Sequence, residues 1–383
     1  MTILTLTKVD VGMLEDVGTS ANNIIQLDSN GKIPAVDGSL LTGVDTSLSA
    51  ASDPTISTNP SGGVGTKYKN TTSGEMYICT DATAGENVWT NVGPGSGNIA
   101  FFRFPGSTYG YFSGGNNNVI ERFPFASASG GVDVGDLSAS HGGGAASHSD
   151  THGYNASNRI DKFSFASGTE NGINAGDLSQ SREFTSGHSD GIYGYAAGGG
   201  NAAGTGYIID RYPFATDTDA SDVGDLTVAR KRIASQSSST HGYCAGGIDS
   251  STNGKVDIID KFSFAASANA TDVGDITQAR QIAAGQSSAT YGYCSSGYLS
   301  SNYDIIEKWS FSSGGNATDV GDITVARREA TGSSSVNHGY TLGGYSTTYT
   351  TIIDRFSFAS GTQNAADHGD LTITQTNGCG TQI

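Results

Sequence analysis

Ile258-Ile259-Asp260-Lys261-Phe262-Ser263-Phe264-Ala265 is the stretch that decides how this chain folds. Alone it is a short apolar run interrupted by one acid and one base. Upstream stands Gly242-Tyr243-Cys244-Ala245-Gly246-Gly247, and downstream Asp272-Val273-Gly274-Asp275-Ile276-Thr277-Gln278-Ala279-Arg280. With these flanks it forms one unit of six. The Gly-Tyr step returns at Tyr111, Tyr154, Tyr195, Tyr243, Tyr293 and Tyr340. The acid–base–aromatic step returns as Asp161-Lys162-Phe163, Asp210-Arg211-Tyr212, Asp260-Lys261-Phe262 and Asp354-Arg355-Phe356, with the variants Glu121-Arg122-Phe123 and Glu307-Lys308-Trp309. A Gly-Asp turn closes each unit at Asp136, Asp177, Asp225, Asp275, Asp322 and Asp370.

The repeated acid advances by 40, 49, 50, 47 and 47 residues. Periods of this length, with four short strands per unit, mark the blades of a propeller. The expected fold class is therefore all-β: a six-bladed β-propeller over residues 98–383, preceded by small β-rich modules. In the fifth unit the expected strands are Arg280–Ser288 (inner), Tyr291–Gly297, Asp304–Phe311 and Thr318–Thr324 (outer). The third of these carries bulk on both faces, as a strand buried between neighbouring sheets should. The tail after Asp370 aligns with the inner strand that opens each later unit, whereas Asn98–Phe104 does not. The tail is expected to complete the first blade and so remove two exposed edges. An arginine before the inner strand, a strand ending in Gly-Gly and an aromatic third strand resemble kelch-type propellers. The outer-strand tryptophan of that pattern is replaced here by Val-Gly-Asp-[Leu/Ile], so the resemblance implies architecture and no activity.

Composition narrows the function. Among 383 residues, 55 are glycine and only 15% are charged, which suits a turn-rich β protein. The net charge of −17 lacks the basic surface that binding to nucleic acid or anionic lipid requires. No apolar run reaches the roughly 20 residues of a membrane span, and Met1–Lys8 does not read as a secretory signal. The expectation is a soluble protein made in a reducing cytoplasm, with no membrane insertion. Cys79, Cys244, Cys294 and Cys379 are widely spaced, which suggests neither disulfides nor zinc. No metal or cofactor is expected.

The N-terminal quarter reads differently. Ile24–Leu27 and Ile33–Val36 flank Asp28-Ser29-Asn30-Gly31-Lys32, and Asn-Gly between apolar runs signals a hairpin. Residues 66–93 read as a meander whose last strand carries Trp89. The run Ala21–Val44 resembles a segment recurrent in bacteriophage tail-fibre and related virion fibre proteins, and residues 66–93 resemble a second module of the same proteins. The resemblance implies a trimer located in the virion. Gly93-Pro94-Gly95-Ser96-Gly97 reads as a linker. The expected organisation is an attachment and oligomerisation segment (1–50), a small β-meander with its linker (51–97), and the propeller (98–383).

Several side chains are candidates for chemistry. His152, His241 and His338 precede the Gly-Tyr step in three units where Tyr109, Tyr193 and Tyr291 stand in the others. Free exchange with tyrosine favours a structural role over a metal site. Cys244 and Cys294 share one strand position and read as core. Arg182, Arg230, Arg280 and Arg327 each follow the Gly-Asp aspartate by five residues, with His141 and Gln375 at that position in the other two units. They could ring an axial channel and bind an anion; pairing with a nearby repeated acid is the favoured alternative. Tyr298, Tyr303, Tyr345 and Tyr349 lie in variable loops of the last two units beside Ser, Thr and Asn. Such tyrosines suit sugar rings, although plain surface tyrosines are the favoured reading.

No catalytic constellation stands out. The expected function is that of a non-enzymatic virion fibre or spike. Its N-terminal region would bind other virion proteins, and its propeller would adsorb to a host-surface glycan. A purely structural decoration protein and a polysaccharide depolymerase are the alternatives.

Overall fold

The computed structural model describes residues 47–92, 104–115, 117–166, 171–200, 206–359, 363–374 and 376–383. Residues 1–46 of the expected 1–50 segment, with its Asn30-Gly31 hairpin, and the linker at 93–97 lie outside the described residues. The chain divides into two compact units, Met1–Phe101 and Phe102–Ile383. Among the described residues all regular structure is β, and no helix is long and apolar enough to cross a membrane.

In the first unit, strands Lys67–Asn70, Met76–Asp81 and Val88–Asn91 form the expected antiparallel meander. Alternation puts Tyr68, Tyr77, Cys79 and Trp89 on one buried face. Leu48–Ala50 adds a parallel edge strand to Lys67–Asn70, which the sequence does not announce.

The second unit is a propeller-like array of small antiparallel sheets. Six of them are four-stranded among its described residues. In the fifth repeat the strands are Ala284–Ser287, Tyr291–Ser295, Tyr303–Ser310 and Gly314–Arg327. The inner strand starts four residues later than expected, because Ile282 takes a left-handed conformation (φ 53°) that turns the chain first. The C-terminal strand Cys379–Gln382 pairs with Tyr109–Ser113 of the first repeat, as the tail alignment implies.

Each word of the repeat has a packing reason. The glycine of Gly-Tyr faces the aromatic ring of the third strand. A Cβ on Gly110, Gly153, Gly194, Gly242 or Gly339 would stand 2.3–2.4 Å from that ring, so only glycine fits. The tyrosine stacks on the second aromatic of the next repeat's third-strand segment. The pairs are Tyr111–Phe165 at 4.8 Å, Tyr154–Phe214 at 4.4 Å, Tyr195–Phe264 at 4.7 Å, Tyr243–Phe311 at 4.6 Å and Tyr293–Phe358 at 4.7 Å. Tyr340 of the sixth repeat stacks on Phe125 of the first at 4.8 Å. Aromatic burial of this kind contributes roughly 1.5–3 kcal/mol per side chain.

The inner strands are serine-rich because their polar groups cross between sheets. Ser237 N–H donates to Ser287 Oγ (3.0 Å), and Ser287 N–H to Ser334 Oγ (2.9 Å). One position earlier, His188 donates from Nδ1 to the Gln236 carbonyl at 3.0 Å, and Gln236 reaches the Tyr293 carbonyl at 2.9 Å.

Two predictions come from this packing. Deleting residues 371–383 removes the inner strand of the first sheet and should abolish the single cooperative unfolding transition; an unchanged melt would contradict the role given to that strand. Burial pushes His188 down to about 4 and His148 down to about 3, against about 6.5 in the unfolded chain. The unfolded state therefore binds more protons as pH falls from about 6.5 toward 4, and stability must fall over that window. Denaturant midpoints measured from pH 7 to pH 4 should drop steeply, and His188→Gln should flatten the slope by up to one proton.

Candidate functional site

The four arginines take the favoured alternative and pair with acids, and the possible anion ring does not form. Arg182, Arg230, Arg280 and Arg327 are fully buried and each pairs with the repeated acid of its own unit. Arg182 meets Asp210 at 2.7 Å, Arg230 meets Asp260 at 3.1 Å, Arg327 meets Asp354 at 2.7 Å, and Arg280 pairs with Glu307. The guanidinium groups also cap carbonyls, as Arg182 does for Gly198 and Ile208 and Arg327 for Thr341. An anion would have to displace these acids. In the second repeat His141 takes the place of arginine, with Nε2 3.1 Å from Asp161 and Nδ1 2.8 Å from Ser157 Oγ. Burial alone would raise the Asp161 carboxyl, but hydrogen bonds from His141 and Ser138 outweigh it and hold the pKa below the ordinary value.

The same carboxylate pins the incoming chain. It accepts a backbone N–H from the segment that crosses over from the preceding outer strand: Ser138 to Asp161, Ser179 to Asp210, Thr227 to Asp260, Thr277 to Glu307, Thr324 to Asp354 and Thr372 to Glu121. Acid and crossover form one buried node per repeat, completed by an arginine in four repeats and by His141 in the second.

The histidines and cysteines stay apart from any shared site. His152 and His241 sit at the starts of second strands, with Nδ1 at 2.9 and 2.8 Å from Thr151 and Thr240 Oγ1. His338 holds the same position in the sixth repeat. Cys244 and Cys294 are completely buried, and burial pushes both thiols up to about 12. Cys244 Sγ lies 3.4 Å from His188 Nε2, but a histidine pushed down to about 4 beside so weak an acid makes no thiolate nucleophile.

Of the four candidate tyrosines, three are engaged by the protein itself. Tyr298 and Tyr345 sandwich the Arg328 guanidinium, at 4.8 and 4.6 Å from their ring centres. Asn302 locks the two loops together by donating to the Tyr345 and Ser346 carbonyls and accepting from Arg328. Tyr303 donates its hydroxyl to Gln278. Tyr349, 53% exposed, packs edge-on to Tyr345 and presents an open ring.

Beside these loops lies a feature absent from the sequence reading. Two residues after each arginine or its stand-in, at the start of every inner strand, the chain turns left-handed. The residues are Gly143 (φ 68°), Phe184 (57°), Arg232 (60°), Ile282 (53°), Glu329 (60°) and Asn377 (54°). Their backbones join head to tail. Gly143 N–H donates to Asn377 O (3.0 Å), Asn377 to Glu329 (3.1 Å), Glu329 to Ile282 (3.2 Å), Ile282 to Arg232 (3.0 Å) and Arg232 to Phe184 (3.1 Å), and Thr185 N–H returns to Gly143 O (3.1 Å). Together they form the mouth of a cavity of about 90 Å³. A left-handed conformation costs a non-glycine residue on the order of 1 kcal/mol or more, and β-branched Ile282 most. Gly143 demonstrates that glycine serves the turn, yet five repeats carry a strained side chain there, each different.

These side chains connect to the loops. Arg232 stacks on Phe184 at 4.7 Å and donates to Gln281, whose backbone bridges to Tyr298. Glu329 lies 3.5 Å from Arg328 and accepts from Asn377. The rim thus offers donors, acceptors, an aromatic face and an aliphatic one within one contiguous surface. An alignment of the six repeats could have revealed it: two positions after a nearly constant arginine stands a column with six different residues.

No family model matches the chain, and none of the curated proteins does. Among solved structures, the one described as the structure of YjhT superposes with a TM-score of 0.56 at 8% identity, covering 69% of this chain and 99% of that one. At that identity the likeness concerns the fold alone, and it agrees with the propeller-like array of sheets.

Replacing Arg280 by Met should cost about 3–5 kcal/mol, because Glu307 is left buried without its cation. Urea unfolding measures this; a loss under 1 kcal/mol would return the arginines to a ligand-binding role.

Proposed function

We propose that this chain is a non-enzymatic virion fibre or spike protein. Its second unit is a closed six-bladed propeller, and the mouth at Phe184, Arg232, Ile282, Glu329 and Asn377 recognises a host-surface glycan. The virion assignment, attachment to other virion proteins and a trimeric state rest on the resemblance of the N-terminal segments to phage fibre modules. Closure of the ring is supported by the stacking of Tyr340 on Phe125, by the pairing of Cys379–Gln382 with Tyr109–Ser113 and by the head-to-tail hydrogen bonds of the mouth.

The observation that carries the binding site is the strained column. Scaffold positions repeat, because each solves the same packing problem six times. At the mouth the repeats disagree, and five of the six hold a costly backbone conformation that a glycine would relieve. Among the described residues seven non-glycine residues are left-handed, and five of them stand around this cavity, which fits a ligand clamp better than a packing need. The paired donors and acceptors beside Phe184 suit the hydroxyls and apolar face of a sugar. A modest affinity per chain would be multiplied by several copies on one particle.

The test is capture of the purified full chain by host cells and by immobilised glycans. Binding that soluble glycan competes away supports adsorption. Absence of glycan binding, together with tight attachment to virus particles, would replace this reading with that of a decoration protein. Shortening of the polysaccharide during incubation would replace it with that of a depolymerase.

A further inference from the structure

We propose that the glycan taken at the mouth is acidic, its carboxylate, sulfate or phosphate group seated in an arc of four cations formed by Lys231, Arg232, Lys255 and Arg328. This rests on the glycan reading above and names the class of sugar. The observation behind it is where the basic residues stand in a chain of net charge −17. In the second unit most arginines and lysines occupy repeated positions: the base of each acid–base–aromatic step, and the buried Arg182, Arg230, Arg280 and Arg327. Among the described residues of that unit, only Arg159, Lys231, Arg232, Lys255 and Arg328 fall outside the repeat. Arg159 lies 3.5 Å from Asp161. The other four gather beside the mouth.

Their contacts trace one arc. Arg232 lines the cavity and donates from Nη1 to Gln281 Oε1 at 3.2 Å. Its Nε–H, shielded from solvent, has no hydrogen-bond partner among the described residues. Lys231, the residue before it, pairs with Ile248, and Ile248 bridges to Lys255. Lys255 Nζ lies 5.9 Å from the centre of the Tyr298 ring, and the Arg328 guanidinium lies 4.8 Å from the same centre. The backbone bridge from Tyr298 to Gln281 leads back to Arg232. Lys231, Arg232 and Lys255 make no ion pair among the described residues. Neighbouring acids offset only part of this charge. Glu329 stands 3.5 Å from Arg328, and Asp249 accepts from Ser251 and Thr252 in its own turn. Glu183 leans toward the second repeat, its Oε2 3.9 Å from where a Cβ on Gly142 would stand. Cations held side by side repel one another, and an anion among them turns that repulsion into attraction. Guanidinium forks suit the paired oxygens of such a group. A compact arc matches one acidic group on a sugar, whereas a nucleic acid needs a long basic track.

The test uses the full-length protein on a glycan array that pairs carboxylated, sulfated and phosphorylated glycans with neutral counterparts of the same sugars. Capture should be confined to acidic members, and the members captured identify the acid. Reducing that carboxylate to an alcohol, or removing the sulfate or phosphate, should lower capture about tenfold or more. Lys255→Gln should lower capture about tenfold with an unchanged melting temperature, whereas Lys261→Gln, the same change of charge at a repeated position, should not. Equal capture of the neutral counterparts would overturn the acidic class while leaving glycan recognition standing. Equal effects of the two variants would move the acidic group off the arc and overturn the proposal. Failure to capture any glycan would overturn both this inference and the reading on which it rests.

Discussion

The buried carboxylate of each third strand is the constraint on which the rest of this fold depends. Glu121, Asp161, Asp210, Asp260, Glu307 and Asp354 lie fully inside the protein and take the N–H of the chain arriving from the previous sheet. In four repeats the same acid holds an arginine, and in the second a histidine. A buried ion pair adds little net stability over a well-packed apolar substitute, yet losing one partner is severe. Its value here is geometric. It fixes where each crossover ends, so the next residues must turn sharply to start an inner strand, and that turn is the left-handed residue at the mouth. The scaffold's most uniform feature thus determines where its most variable one stands.

Much of this was legible in the sequence because a repeat poses the same packing problem several times. The Gly-Tyr step and the acid–base–aromatic strand fall on the expected strands, whereas Gly-Asp, read as a turn, lies within the outer strand of each repeat. The pairing of the C-terminal tail with Tyr109–Ser113 was readable from the poor match of Asn98–Phe104. Spacing could not tell whether Arg280 faces a channel or an acid, because only the folded sheets bring it to Glu307, 27 residues away. Nor could spacing reveal that Tyr298 and Tyr345 spend their ring faces on Arg328, a contact between loops of different repeats. The edge strand Leu48–Ala50 was missed because three weakly apolar residues acquire strand character only by pairing with Lys67–Asn70.

The mouth escaped a pattern search for the opposite reason. A search for repeats rewards agreement, and Phe184, Arg232, Ile282, Glu329 and Asn377 agree in nothing but backbone conformation. Their cost makes them informative. Five strained residues forgo on the order of 5 kcal/mol, comparable to the whole stability of a small domain. The aromatic stacks between sheets and the six nodes supply the rigidity that keeps the strained ring in place. Under the proposed reading, side chains carried on such a frame would need little ordering on binding a ligand.

The central claim is that the repeated residues build the frame and the disagreeing column does the recognition. The most direct measurement is on one variant in which Phe184, Arg232, Ile282, Glu329 and Asn377 are all replaced by glycine, the residue the second repeat already uses at Gly143. The account predicts a melting temperature no lower than that of the wild type, together with loss of glycan capture. Capture that survives in this variant, or a frame that no longer folds, would contradict it.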